Sequence, residues 1–191
     1  MDFRKRKTAG LPILSGAVNG ALAYAAGLAG TFTFIAVFGL KPLFEFVLTP
    51  TGIPFASKIG FAFYGGHFVP AQFGDGSTVN FALDVADFGI LYVLLVVAIL
   101  GATGYYLGSG EDIRTPREGA LSGATLVIGY LPLVAIGTTF FKYQRAPAGT
   151  VGQSQTISLE VPLIRAIVMA GIVVPIVLGA IGGAVAVRTA E

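Results

Sequence analysis

Residues Val161 to Val187 read VPLIRAIVMAGIVVPIVLGAIGGAVAV, and the only charge among them is Arg165, near the start. A hydrocarbon core about 30 Å thick needs roughly 20 apolar residues in helical form. This stretch is long enough to cross a bilayer. Working outward, three more stretches pass the same test without an interior charge: residues 119–141, 88–107 and 11–40. The whole chain agrees with them. Of its 191 residues 54% are apolar and 12% charged, and the mean hydropathy is +0.81. A soluble domain is nearer a quarter charged, and a chain of this size in water would have more apolar surface than its interior can hold. Disorder requires the opposite composition. The expectation is an all-α membrane protein, a four-transmembrane-helix bundle forming one membrane domain over residues 1–191.

The first stretch follows a basic leader, Arg4-Lys5-Arg6-Lys7, and contains a small-x-small triplet at Ala23-Tyr24-Ala25. A cleaved signal would give way to polar sequence there. Here the apolar run continues to Leu40, so it is read as a retained span, with Pro12 suited to a first helical position. Its thirty residues exceed one perpendicular crossing, which implies tilt or an interfacial first turn.

Basic residues set the expected orientation. With the N-terminus inside, seven of them (Arg4, Lys5, Arg6, Lys7, Arg114, Arg117, Arg188) fall on the cytoplasmic side. Five (Lys41, Lys58, Lys142, Arg145, Arg165) fall outside. Four crossings return the C-terminus to the cytoplasm. The localisation expected is therefore the cell membrane, multi-pass, with a cytoplasmic loop at 108–118 and outer loops at 41–87 and 142–160.

Three outer-loop segments look strand-like: LFEFVL at 43–48, TVNFAL at 78–83 and TISLEV at 156–161. The last two alternate polar and apolar residues, the period of a half-buried strand. Asp75-Gly76 and Thr49-Pro50-Thr51-Gly52 supply turn chemistry. A small extracellular antiparallel sheet built from both loops follows, with at least three strands, since an isolated hairpin is marginal in water. Between the strands lies IGFAFYGGHFVPAQF, residues 59–73. It is short for a span. An interfacial helix is the favoured reading, over a re-entrant piece or a lid.

Little chemistry is legible. There is no cysteine and one histidine, so disulfides, thiolate sites and two-imidazole metal motifs are excluded. No catalytic constellation, phosphate loop or basic nucleic-acid stripe appears. The expectation is a protein that is not an enzyme, with no cofactor, no metal and no nucleic-acid partner. Tyr64 and His67 are the candidate outer-loop functional residues, with His67 read as a hydrogen-bonded histidine. Asn19 is the strongest polar group at depth, read as a bond to another helix.

Glycine carries the clearest positional pattern. Gly16, Gly20 and Gly27 recur on one face of the first span, Gly101 and Gly104 on the second, Gly119 and Gly123 on the third, and Gly171, Gly179 and Gly183 on the fourth. In lipid, helices associate through close van der Waals contact, which glycine permits. Two uses compete: packing within the bundle, and a hinge or homo-oligomer seam. Pro132 and Pro175 should interrupt the third and fourth helices by removing an amide donor. The carbonyls so freed are either re-satisfied by neighbours or available to a substrate.

Three segments, Phe63-Tyr64-Gly65-Gly66-His67-Phe68-Val69, Gly129-Tyr130-Leu131-Pro132-Leu133 and Ala170-Gly171 through Pro175 to Gly182-Gly183, resemble a group of uncharacterised haloarchaeal multipass membrane proteins, some labelled transporters. By layout alone the chain is similar to claudin-like proteins: four helices, a large first outer loop, a smaller second one and a joint outer sheet. The function expected is that of a structural, adhesive or accessory subunit, partnered by the lipid bilayer and by a homo-oligomer or larger membrane complex. The alternative is an oligomeric transporter or channel for a small solute.

Overall fold

Four helices of the structure, a computed structural model, are long and apolar enough to cross a membrane: Ile13–Phe38, Ile90–Gly108, Pro116–Phe140 and Leu163–Thr189. The structure describes residues 12–39, 52–145 and 157–189. In chain order the elements are α1 (Ile13–Phe38), α2 (Phe55–Gly66), β1 (Ala71–Phe73), β2 (Thr78–Val79), a π-helical turn (Phe81–Val85), α3 (Ile90–Gly108), α4 (Pro116–Ala124), α5 (Val127–Phe140), β3 (Lys142–Arg145), β4 (Ile157–Glu160) and α6 (Leu163–Thr189). The most apolar part of α1, α3 and α6 is only 28% buried inside the bundle. What remains outside is apolar too: Leu14 and Ile164 are each 79% exposed and Phe140 73%. An exterior of this kind needs an apolar solvent.

Glycine explains how closely the helices meet. A Cβ on Gly104 or Gly123 would collide with the backbone of Gly179, and one on Gly119 with the carbonyl of Gly183. A Cβ on Gly16 would meet Thr125, and one on Gly20 the Leu126 carbonyl. These are backbone-to-backbone contacts inside one chain, so the glycines are spent on packing the bundle. Gly101 differs. Its own Cβ direction is open for 4 Å, and it is Gly182 that presses on the Gly101 carbonyl. The packing role expected of Gly101 belongs to Gly182.

The two prolines act differently from one another. Pro132 lies inside the unbroken helix α5 with its side chain exposed. The interruption of the third span falls earlier, at Thr125-Leu126. There the amides of Thr125, Leu126 and Ile128 donate three residues back, to Ser122, Gly123 and Thr125. This tightening lets Leu126 and Gly129 approach α1, where a Cβ on Gly129 would collide with the Ala17 carbonyl. Pro175 is buried, and the eight residues Ala166–Val173 before it wind as a π-helix. A wider turn accommodates a ring that cannot donate to the preceding turn and would crowd its carbonyl.

A four-stranded antiparallel sheet lies at one end of the bundle in the order β2-β1-β4-β3. Gln72 faces Thr78 on one side and Glu160 on the other, while Leu159 pairs with Phe73 and Tyr143. Leu159 is fully buried and seats the sheet on the bundle. The expected strand at 43–48 lies outside the described residues. The expected strand at 78–83 stops at Val79, because Asn80 Oδ1 accepts the amides of Ala82 and Leu83 and starts the π-helical turn. Side-chain capping offers those amides a local partner in place of a ladder.

Candidate functional site

The segment expected at an interface is buried. Helix α2 enters the bundle from the sheet end, and Phe61 through His67 are all buried. Its descent can be followed on α5. A Cβ on Gly60 would meet the Phe141 ring, Tyr64 bonds Val134, and His67 bonds Tyr130. Burial wins because the segment is apolar on every side and the two glycines at its tip allow contact. Gly65 packs against Ala82, and Gly66 against Tyr92 and Val96. The helix ends in a left-handed turn, with the amides of Phe68 and Val69 donating to Gly65 and Tyr64. That closure places Phe68 at φ +62, a conformation that glycine usually supplies.

His67 is 0% exposed. Its Nδ1 lies 2.8 Å from the Phe63 carbonyl oxygen, which can only accept, so Nδ1 carries the proton. Nε2, 2.7 Å from the Tyr130 hydroxyl, is then the acceptor and Tyr130 the donor. Both nitrogens are satisfied by a neutral ring. Burial holds the imidazole pKa down at about 4, against the Phe63 carbonyl, which favours the charged form.

Around this bond stand Tyr24, Phe63 and Tyr64. Tyr24 meets Phe63 and Tyr130 edge-on, with ring centroids 5.1 and 5.6 Å apart. The Tyr64 hydroxyl donates to the Val134 carbonyl at 2.5 Å. Gly137 makes room for the hydroxyls of Tyr24 and Tyr64 together, since a Cβ there would strike both. Helix α2 is thus tied to α1 by aromatic edges and to α5 by two hydrogen bonds, Tyr64 to Val134 and His67 to Tyr130. The arrangement fixes a proton on a neutral imidazole and holds α2 in place. Among the described residues no group of three His, Cys, Asp or Glu side chains could hold a metal ion.

Of the residues singled out in the sequence, Tyr64 and His67 come together here, and Gly27 adjoins them through Phe63. Gly171 lies beside Leu131 and Val134 on the other side of α5. Among the described residues Asn19 bonds within its own helix and not to another: its amide donates to Ser15 one turn back. Sequence reasoning missed Tyr24 and Tyr130 as partners. Their signal was present, since tyrosine at depth in an apolar helix needs somewhere to place its hydroxyl.

Tyr92, on α3, is 1% exposed, and its hydroxyl has no hydrogen-bond partner among the described residues. A buried unpaired hydroxyl costs about 1–3 kcal/mol. Tyr92→Phe should therefore melt at the same temperature as the native protein or higher. A loss above about 1 kcal/mol in detergent unfolding would mean that the hydroxyl is satisfied after all.

Four helices fit to cross a bilayer, closed at one end by an inserted helix and a sheet, are the build of a multi-pass membrane protein. The chain belongs to DUF7978, a family of unknown function whose model matches residues 3–190. No curated protein and no solved structure matches it.

Proposed function

We propose that this protein is a structural or accessory subunit of a membrane assembly, a rigid four-span bundle that presents its sheet to a partner. The observation that carries the reading is how the interior is used. The axis at the sheet end is filled by α2, and the helices elsewhere meet backbone to backbone at glycines. A bundle packed in this way holds a shape, which supports a structural role over a solute path within one chain. The cell membrane is the proposed location, with both termini cytoplasmic and the sheet outside, from the distribution of basic residues. The joint sheet from two loops supports a claudin-like layout, and the resemblance of the three quoted segments supports a haloarchaeal source.

Extraction in mild detergent after cross-linking in native membranes tests the role. A stable complex, either of copies or with a second protein, is expected; a lone monomer at every cross-linker concentration would overturn it. Orientation has its own test, because the chain has no cysteine. A Ser77→Cys variant should react with an impermeant maleimide from outside, and a Ser109→Cys variant only after permeabilisation.

A second reading, an oligomeric transporter or channel, rests on the π-helical stretch before Pro175 and on α2 ending inside the bundle at His67. Both features recur where helices are broken around a site. Solute flux in liposomes that is lost in Tyr130→Phe would favour it over the first.

A further inference from the structure

Where β1 meets the start of α6 there is an open groove of about 430 Å³ lined by Gln72, Pro162, Ile164, Arg165, Val168 and Met169. Arg165 is exposed, and among the described residues it makes no ion pair. The groove changes character along its length. Gln72 and Arg165 are its polar end, and Ile164, Val168 and Met169 are apolar. On a helix, positions three and four apart share a face, so Val168 and Met169 continue down α6 from Arg165. Ile172, one turn further, is also exposed.

The depth of Arg165 follows from the same helix. Arg165 and Arg188 are the only charges in Leu163–Thr189, and they are 23 residues apart. At 1.5 Å per residue, and less through the π-helical stretch, that is about 30–35 Å. The spacing brackets a hydrocarbon core of about 30 Å. If α6 crosses a bilayer, Arg165 stands at the level of the lipid phosphates, with the apolar part of the groove at the level of the chains.

We infer that this groove binds one anionic phospholipid, its phosphate on the Arg165 guanidinium and Gln72 amide, one acyl chain along Val168 and Met169. A guanidinium offers paired donors that match phosphate geometry and is less strongly hydrated than an ammonium. Glu160 and Lys142 face each other in the neighbouring sheet, so Arg165 leaves the local charge positive. That balance selects an anionic headgroup over a zwitterionic one. The apolar wall selects a lipid over a free phosphate ester.

Native mass spectrometry of the full chain, released from nanodiscs of equal phosphatidylglycerol and phosphatidylcholine, tests the assignment. One phosphatidylglycerol should be retained in preference to phosphatidylcholine. Arg165→Gln should lower its retention roughly tenfold, the loss of one charge-assisted contact. Arg165→Lys should recover part of it, and Arg188→Gln should leave it unchanged. Gel-filtration profiles matching the native protein certify that each variant is folded. Equal retention in Arg165→Gln, an equal loss in Arg188→Gln, or no preference between the two lipids would overturn the proposal. So would displacement of the lipid by glycerophosphoglycerol at matched concentration, which would assign the groove to a soluble phosphate ester.

Discussion

Replacing Gly183 by alanine is expected to abolish the folded bundle in detergent. The added Cβ would fall on the Gly119 carbonyl, with Gly123 Cα also within 3.2 Å. Overpacking typically costs 1–3 kcal/mol where side chains can give way. Here the obstacle is backbone on a facing helix, which moves only if the helices part, so the cost should be about 3 kcal/mol or more. Gly104→Ala should behave alike, since its Cβ meets the Gly179 backbone. Gly101→Ala is the control. It lies one turn away on the same helix with open space ahead of its Cβ, and the gain in helix propensity should stabilise by about 0.5–1 kcal/mol. Thermal unfolding followed by size-exclusion fluorescence reads all three. If Gly101→Ala and Gly183→Ala melt together, the helices do not meet at these carbonyls.

The second large effect is on acid stability. The His67 pKa is held down at about 4 in the folded protein, from a reference of 6.5. The unfolded chain therefore binds the extra proton between those values. His67 contributes stability that is fully present above pH 6.5 and falls away as the pH drops toward 4. The linkage amounts to about 3 kcal/mol across that window. The groups that contact the His67 ring are Phe63 and Tyr130, and neither is a carboxylate that would compensate a charged ring. Exposed Asp75, held below its usual range by hydrogen bonds from Ser77, titrates beneath this window. His67→Gln retains a donor toward Phe63 and an acceptor toward Tyr130 without titrating. Unfolding midpoints between pH 4 and 7 should slope in the native protein and lie flat in His67→Gln. The same slope in both would remove His67 as its cause.

Several features of the fold were legible because they are local. The capping box Thr115-x-x-Glu118 around Pro116 marks the start of the third span, and both reciprocal bonds form. The Thr-x-x-Glu spacing with proline at the first helical position carries that start in the sequence itself. The alternation at 156–161 corresponds to β4, Ile157–Glu160. The same alternation misled at 78–83, where a single side chain, Asn80, diverts the backbone after two residues of strand. Strands β1 and β3 carry no clear alternation. The partners of β1 in Glu160 and Leu159 lie far along the chain.

The candidate site was half visible. His67 is conspicuous as the only histidine, and Tyr64 stands in the same segment. Their partners could not be read from spacing, because His67 and Tyr130 are 63 residues apart and Tyr64 and Val134 are 70 apart. Two of the segments quoted for the family resemblance, 63–69 and 129–133, meet at that His67–Tyr130 bond. The third places Gly171 against Leu131.

Composition and periodicity alone determined the solvent. Long uncharged helices with apolar side chains on every face have one stable environment, and that conclusion needs no partner residue. They also determined that close helix contact was available, since glycine recurs at helical spacing. Only the tertiary structure decided which carbonyl each glycine meets, that Gly182 and not Gly101 does the packing on α3, and that residues 55–66 are inside the bundle. The reason is physical. An apolar segment gains as much by lying in lipid as by lying in protein, so hydropathy cannot tell the two apart. The choice falls to hydrogen bonds and ring contacts between residues far apart in the chain, and for α2 these are His67 to Tyr130 and Tyr64 to Val134.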